Sequence, residues 1–156
     1  MVNKNIVLRL LNNIEGYINE LKMATDINYK KFMNDIRTQR FVERTIHIMI
    51  EACFDAVHHI ISDEGFREPS SYADAFMVLA ENNVLDSDEA KKYILMAQFR
   101  NKLVHYYEKI DPEQVFAIYN KHLVDIEHFI SSIRSWLDKN IWKTYKQLGI
   151  LKISGS

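Results

Sequence analysis

Residues 35–63 limit most strongly what this chain can become. One apolar stripe runs through Val42, Ile46, Met49, Cys53, Val57 and Ile60, and a second through Ile50, Phe54, Val57 and Ile61. Steps of three and four place each stripe on one face of a helix. Two adjoining stripes make that helix apolar over more than half its girth. It must be either the central helix of a bundle or partly covered by a second subunit. Gly65, with Pro69 just beyond, should end it.

The remaining patterning is helical too. Residues 3–24 repeat Val7, Leu10, Leu11, Ile14, Tyr17, Ile18 and Leu21, which share one face. A turn or two of helix is expected between Asp26 and Asn34. Ser70 or Ser71 can cap a short helix carrying Tyr72, Phe76, Leu79 and Ala80. Asp86-Ser87-Asp88-Glu89 reads as a capping box opening a helix over about 87–105. Asp111-Pro112 is another cap, with proline at the first helical position. The helix it opens runs to about 138 through Tyr119, Leu123, Ile126, Ile130, Ile133 and Leu137; the sequence from Trp142 is weakly patterned. With 4 Gly and 2 Pro among 156 residues, sharp turns are scarce, which disfavours sheets. The reading is an all-α, up-and-down helical bundle of about four main helices plus short extra ones. One domain is expected over 1–140, with a tail at 141–156.

A formal charge of -1 gives no global basic field, so any polyanion must be met by a local patch. The one cysteine, Cys53, excludes an internal disulfide and lies in an apolar run, where a buried inert thiol is expected. The N-terminal residues lack the pattern of a secretory signal, and no apolar run approaches the roughly 18 residues of a membrane span. The expected location is the cytoplasm.

Chemistry concentrates near the end of the helix over 87–105. Its stripe runs Tyr93, Ala97, Arg100, Val104, so Arg100 stands where an apolar residue is called for. A guanidinium there needs a carboxylate, a phosphate or water, since an unpaired buried charge costs several kcal/mol. Asn101 and His105 are four apart and share a face. Arg100 and His105 are about 140° apart at ~3.6 residues per turn, so they converge only through the arginine's length, a helix end, or a contact between subunits. Arg, Asn and His suit phosphodiester chemistry. The arginine fork binds phosphate oxygens, a histidine near neutrality moves a proton, and RNA supplies its own 2′-hydroxyl nucleophile without a metal. The residues alone also allow a structural arginine–carboxylate pair and a helix-end histidine, the commoner outcome for such residues.

The run Arg100-Asn101-Lys102-Leu103-Val104-His105-Tyr106-Tyr107 resembles the Arg, four residues, His, any residue, Tyr signature of HepT-like proteins in the HEPN superfamily. Ser71-Tyr72-Ala73-Asp74-Ala75-Phe76, and Ile110-Asp111 followed by Val115, are similar to that family's flanking stretches. The resemblance spans roughly residues 5–138. It implies a homodimer whose motifs face each other across a cleft. It further implies a metal-independent endoribonuclease toxin of a type VII-like toxin–antitoxin system, acting on RNA and not DNA, with no cofactor. The implied antitoxin is a minimal nucleotidyltransferase (MNT) that transfers AMP to the motif tyrosine. Carried over by position, Arg100 and His105 are the implied catalytic pair, Asn101 the supporting polar residue and Tyr107 the modified one.

Other candidates carry less. His58-His59 point about 100° apart and chelate one metal poorly. His122 and His128 lack chelating spacing. His47 has Glu43 and Glu51 four residues to either side, and Glu43 is the carboxylate expected to pair with Arg100 between helices. Arg37, Arg40 and Arg44, preceded by Lys30 and Lys31, form a basic stretch interrupted by Asp35 that suits an RNA backbone or an ordinary solvated face. The alternative functions are a non-catalytic nucleotide-binding accessory subunit of a nucleotidyltransferase, with Arg100 holding phosphate, and a structural helical dimer in which a salt bridge locks Arg100.

Overall fold

The computed structural model describes residues 2–105 and 109–149. Among them the chain forms α1 (Lys4–Met23), α2 (Tyr29–Asn34), α3 (Ile36–Glu64), α4 (Tyr72–Glu81), α5 (Ser87–Val104), α6 (Pro112–Ala117) and α7 (Leu123–Gln147), with a π-helical turn at Ile118–His122 between α6 and α7. No strand occurs among the described residues, and none of their helices is long and apolar enough to cross a membrane.

The local signals act where the sequence places them. Ser71 accepts from the Asp74 amide at 3.0 Å, and Asp111 accepts from the Glu113 amide at 3.0 Å. Each satisfies a first-turn N–H that has no partner within its helix. At the end of α3, Gly65 adopts φ 67°, and the Phe66 amide reaches back to the Ile61 carbonyl at 3.0 Å. That left-handed residue closes the helix, and glycine takes it without a Cβ penalty. Asn83, at φ 57°, does the same after α4.

Two local expectations are corrected. Asp86 precedes α5 but its side chain makes no capping hydrogen bond. The Glu89 carboxylate instead accepts from the Tyr93 hydroxyl and the Ser132 hydroxyl, both at 2.5 Å. A buried tyrosine needs a polar partner, and that demand, together with the contact to α7, draws Glu89 away from the helix start. The last helix also does not stop near 138. It follows the π turn and continues to Gln147, ten residues past its last buried side chain, Leu137.

The tertiary plan is antiparallel. Val2 and Asn3, which lead into α1, donate backbone amides to Glu64 and Asp63 at the end of α3. Lys4–Asp138, Glu15–Arg134 and Lys22–Glu127 run in opposite directions along α1 and α7. Phe54, Phe76, Tyr93 and Phe129, from α3, α4, α5 and α7, meet with ring centroids 5.2–6.3 Å apart. The edge-to-face and tilted geometries are those aromatic quadrupoles favour. α3 contacts α1, α2, α4, α5 and α6, and both of its apolar stripes are buried within the single chain. Its wide apolar surface is therefore that of a central helix and needs no second subunit to cover it. Cys53 is fully buried in this core, and desolvation pushes its thiol pKa well up, as an inert thiol requires.

Candidate functional site

α3, α4 and α5 meet around Arg100. Its Nε donates to Glu51 Oε1 on α3 at 2.9 Å. Its guanidinium carbon lies 4.1 Å from the centre of the Tyr72 ring on α4. Glu51 Oε1 is also 3.6 Å from His47 Nε2, one turn earlier on α3. The carboxylate fixes the guanidinium edge-on while the ring supports its face, an attraction of about 0.5–2 kcal/mol. The Arg100 side chain is 18 % exposed and that of Glu51 38 %, so the pair stands at the edge of the bundle and not inside it.

This geometry corrects one expectation. Glu43 does not hold Arg100; it pairs with Arg40 on its own helix at 3.0 Å. Glu51, two turns further along α3, lies opposite Arg100. The salt bridge takes only Nε. Among the described residues, no hydrogen bond engages the two terminal nitrogens, so the end of the fork remains available for an oxyanion.

The neighbouring motif residues diverge from Arg100 as helical spacing requires. Asn101 is exposed and lines a cleft of about 480 Å³ between α5 and the α6–α7 segment, together with Lys102, Leu95, Ile118 and His122. Lys102 donates to Gln114 across that cleft at 3.2 Å. His105 follows the last residue of α5, with φ -85° and ψ 95°, and is exposed. The helix end therefore frees His105 from α5 geometry, one of the three routes by which it could approach the arginine's charge. Tyr107 lies outside the described residues.

Glu51 and Tyr72 were the contacts that sequence reasoning missed. Tyr72 reads as one more residue of a short amphipathic helix. Glu51 reads only as the neighbour of His47. Neither spacing carries information about which turn of α3 faces α5. Tyr72 also packs edge-on against Phe54 at 4.7 Å and against His58 at 5.6 Å. Burial holds His58 below the ordinary histidine pKa, with Asp55 opposing. His122 Nδ1 is 3.0 Å from Asp125 Oδ2, and no group of three metal-binding side chains converges among the described residues.

Comparison with known proteins identifies the family. Residues 14–133 match the family model described as ribonuclease HepT-like. The tRNA nuclease HepT of Aphanizomenon flos-aquae is 28% identical over 132 residues, 85% of this chain and 90% of that protein. The mRNA nuclease HepT of Shewanella oneidensis is 33% identical over 108 residues, 67% of this chain and 79% of that protein. The fold superposes with a TM-score of 0.76 on the tri-AMPylated Shewanella oneidensis HEPN toxin, solved in complex with its MNT antitoxin, at 26% identity over 85% of this chain and 98% of that one. A model match over most of the chain, and curated relatives matched over most of their length, make this protein a member of the ribonuclease HepT-like family.

Proposed function

We propose that this protein is an endoribonuclease toxin that cleaves RNA through Arg100 and His105 and is neutralised by a nucleotidyltransferase partner that transfers AMP to Tyr107. The observation that carries the reading is Arg100, held by Glu51 and Tyr72 with no hydrogen bond to its terminal nitrogens among the described residues, on the turn that leads to an exposed His105. Family membership supports it, as do relatives that are nucleases of tRNA and mRNA and a relative that carries AMP in complex with an MNT antitoxin.

Two fixed supports leave Arg100 little to reorganise when a phosphate arrives. Its free nitrogens neutralise charge that builds on the phosphoryl oxygens as the 2′-oxygen attacks. His105 moves the proton, taking it from the 2′-hydroxyl or giving it to the departing oxygen. Asn101 orients substrate on the cleft side. No metal is needed for these steps, because the nucleophile belongs to the RNA. Two subunits facing each other would bring one His105 towards the partner's arginine, giving a composite site. AMP on Tyr107, two residues beyond His105 in the chain, would add negative charge and bulk to the segment that carries the proposed catalytic histidine.

The test is expression without the partner, beside Arg100→Ala and His105→Ala. Growth arrest and RNA cleavage are expected for the parent, including in EDTA, and should be lost in both variants. Arrest that persists in both overturns the site. Intact-mass analysis after co-expression with the partner should show added AMP that Tyr107→Phe abolishes.

A further inference from the structure

The first half of α3 presents a second feature that the site itself does not use. Arg37, Arg40, Phe41, Arg44 and His47 fall, with Glu51, in a sector of about 120° at ~3.6 residues per turn. Arg37, Arg40 and Arg44 are exposed, and Phe41 is 40 % exposed between them. A large apolar ring partly open to water amid three arginines is not required by the core, which buries Val42 and Ile46 on the opposite side. The acidic groups nearby are few. Glu43 pairs with Arg40, and Asp35 is taken up in capping α3, through the Arg37 amide and the Thr38 hydroxyl. Within the sector itself three arginines face one carboxylate, Glu51, in a chain whose formal charge is -1. The sector leads along α3, over about 21 Å at ~1.5 Å per residue, from Arg37 to Glu51, which holds Arg100.

We propose that this face of α3 is a track for single-stranded RNA, with Arg37, Arg40 and Arg44 on the phosphates and Phe41 stacking a base, and that it delivers the strand to Arg100. The inference rests on the ribonuclease reading for its occupant. Arginines alone would suit any polyanion. An exposed aromatic between them suits a strand whose bases are unstacked, because every base offers a face to a ring while a duplex hides it. Continuity with the phosphate-binding arginine gives the track a direction. Lys31, tied to Asp26, stands outside it.

The experiment uses the full chain carrying His105→Ala, so that RNA survives, and a fluorescent oligouridylate as probe. Binding is followed by anisotropy over a salt series. Combining Arg37→Gln, Arg40→Gln and Arg44→Gln should weaken binding at least about tenfold at low salt. It should also flatten the slope of log K against log salt by about 2, at ~0.7 per phosphate contact. Phe41→Ala should weaken binding about fivefold or more with the slope retained, and Phe41→Trp should restore it. Thermal melts check that the variants fold. In the His105 background restored to wild type, the triple variant should need more RNA for half-maximal cleavage while its maximal rate holds.

Unchanged affinity and slope in the triple variant overturn the track. So does intact RNA binding together with loss of self-association or of the nucleotidyltransferase complex, which would make this face a protein interface. The two readings fail separately. A parent that leaves RNA whole, while the triple variant still loses RNA affinity, sinks the nuclease reading and keeps the track. A parent that cleaves RNA, with a triple variant equal to it in affinity, does the reverse.

Discussion

Arg100 interrupts an apolar stripe, and the fold answers with two supports from two other helices. Glu51 sets the orientation of the guanidinium and Tyr72 sets its depth. Glu51→Gln should therefore lower single-turnover cleavage about tenfold with little change in melting temperature, since misplacing a phosphate-binding group by about 1 Å can cost up to ~10²-fold. Tyr72→Phe should keep activity and Tyr72→Leu should not, because the ring and not the hydroxyl meets the cation. A Tyr72→Leu enzyme as active as the parent would refute this support. His58, beside the same ring, gives a pH signature. Burial lowers its folded pKa below the unfolded value near 6.5. Between the two values the unfolded chain holds the extra proton. Stability is then full above about 6.5 and falls as pH drops through that value towards the folded pKa. Asp55 opposes the effect, and the Arg100 charge stands across Tyr72. Melting scans from pH 7.5 to 5.5 should show the loss, and His58→Gln should shrink it.

At the level of elements, the segment between α3 and α4 is tied down by one residue. Arg67 makes paired hydrogen bonds to Asp74 at 2.8 and 2.9 Å and to Glu81 at 2.8 Å each, reaching both ends of α4. The Arg67 guanidinium, and then the Ser70 amide, hold Asp74 far below the usual carboxylate range. The stability this contributes is fully present above the unfolded carboxylate value near 3.9, and is lost as pH falls through the folded one. Arg67 and Glu81 are about half exposed and Asp74 is partly exposed, so salt should screen these pairs. Arg67→Met is expected to lower the melting temperature at low ionic strength, with the difference from the parent shrinking in 1 M salt and again below pH 4. A difference that persists unchanged in both conditions would mean that packing of the arginine stem, and not charge, secures α4.

For the whole molecule, the motif residues that the structure describes are split by the bundle: Arg100 turns to α3 and α4, Asn101 to the cleft beside α6, and His105 leaves at the helix end. A site assembled from two copies would reunite these groups. Co-expressing Arg100→Ala with His105→Ala subunits should then recover cleavage that neither has alone, because a mixed dimer retains one arginine and one histidine across the two-fold axis. The particle should weigh about twice the 18.4 kDa chain by light scattering. A monomer with full activity would rule out the shared site.

The sequence by itself determined the class and order of the elements, since hydrophobic period and capping chemistry are local. The stripes of α3, the stop at Gly65 and the cap Asp111 read directly, and the cap of α4 narrows to Ser70 or Ser71. It also marked Arg100 as out of place, because an apolar stripe makes a charge conspicuous. Tertiary structure decided what local pattern cannot encode, namely which turn faces which. Only packing could prefer Glu51 over Glu43 as the partner of Arg100, recruit Glu89 to Tyr93 and Ser132 in place of a capping box, or assign the broad apolar surface of α3 to a central position. Each of those outcomes compares two chemically adequate partners, and distance in space, not spacing in the chain, chooses between them.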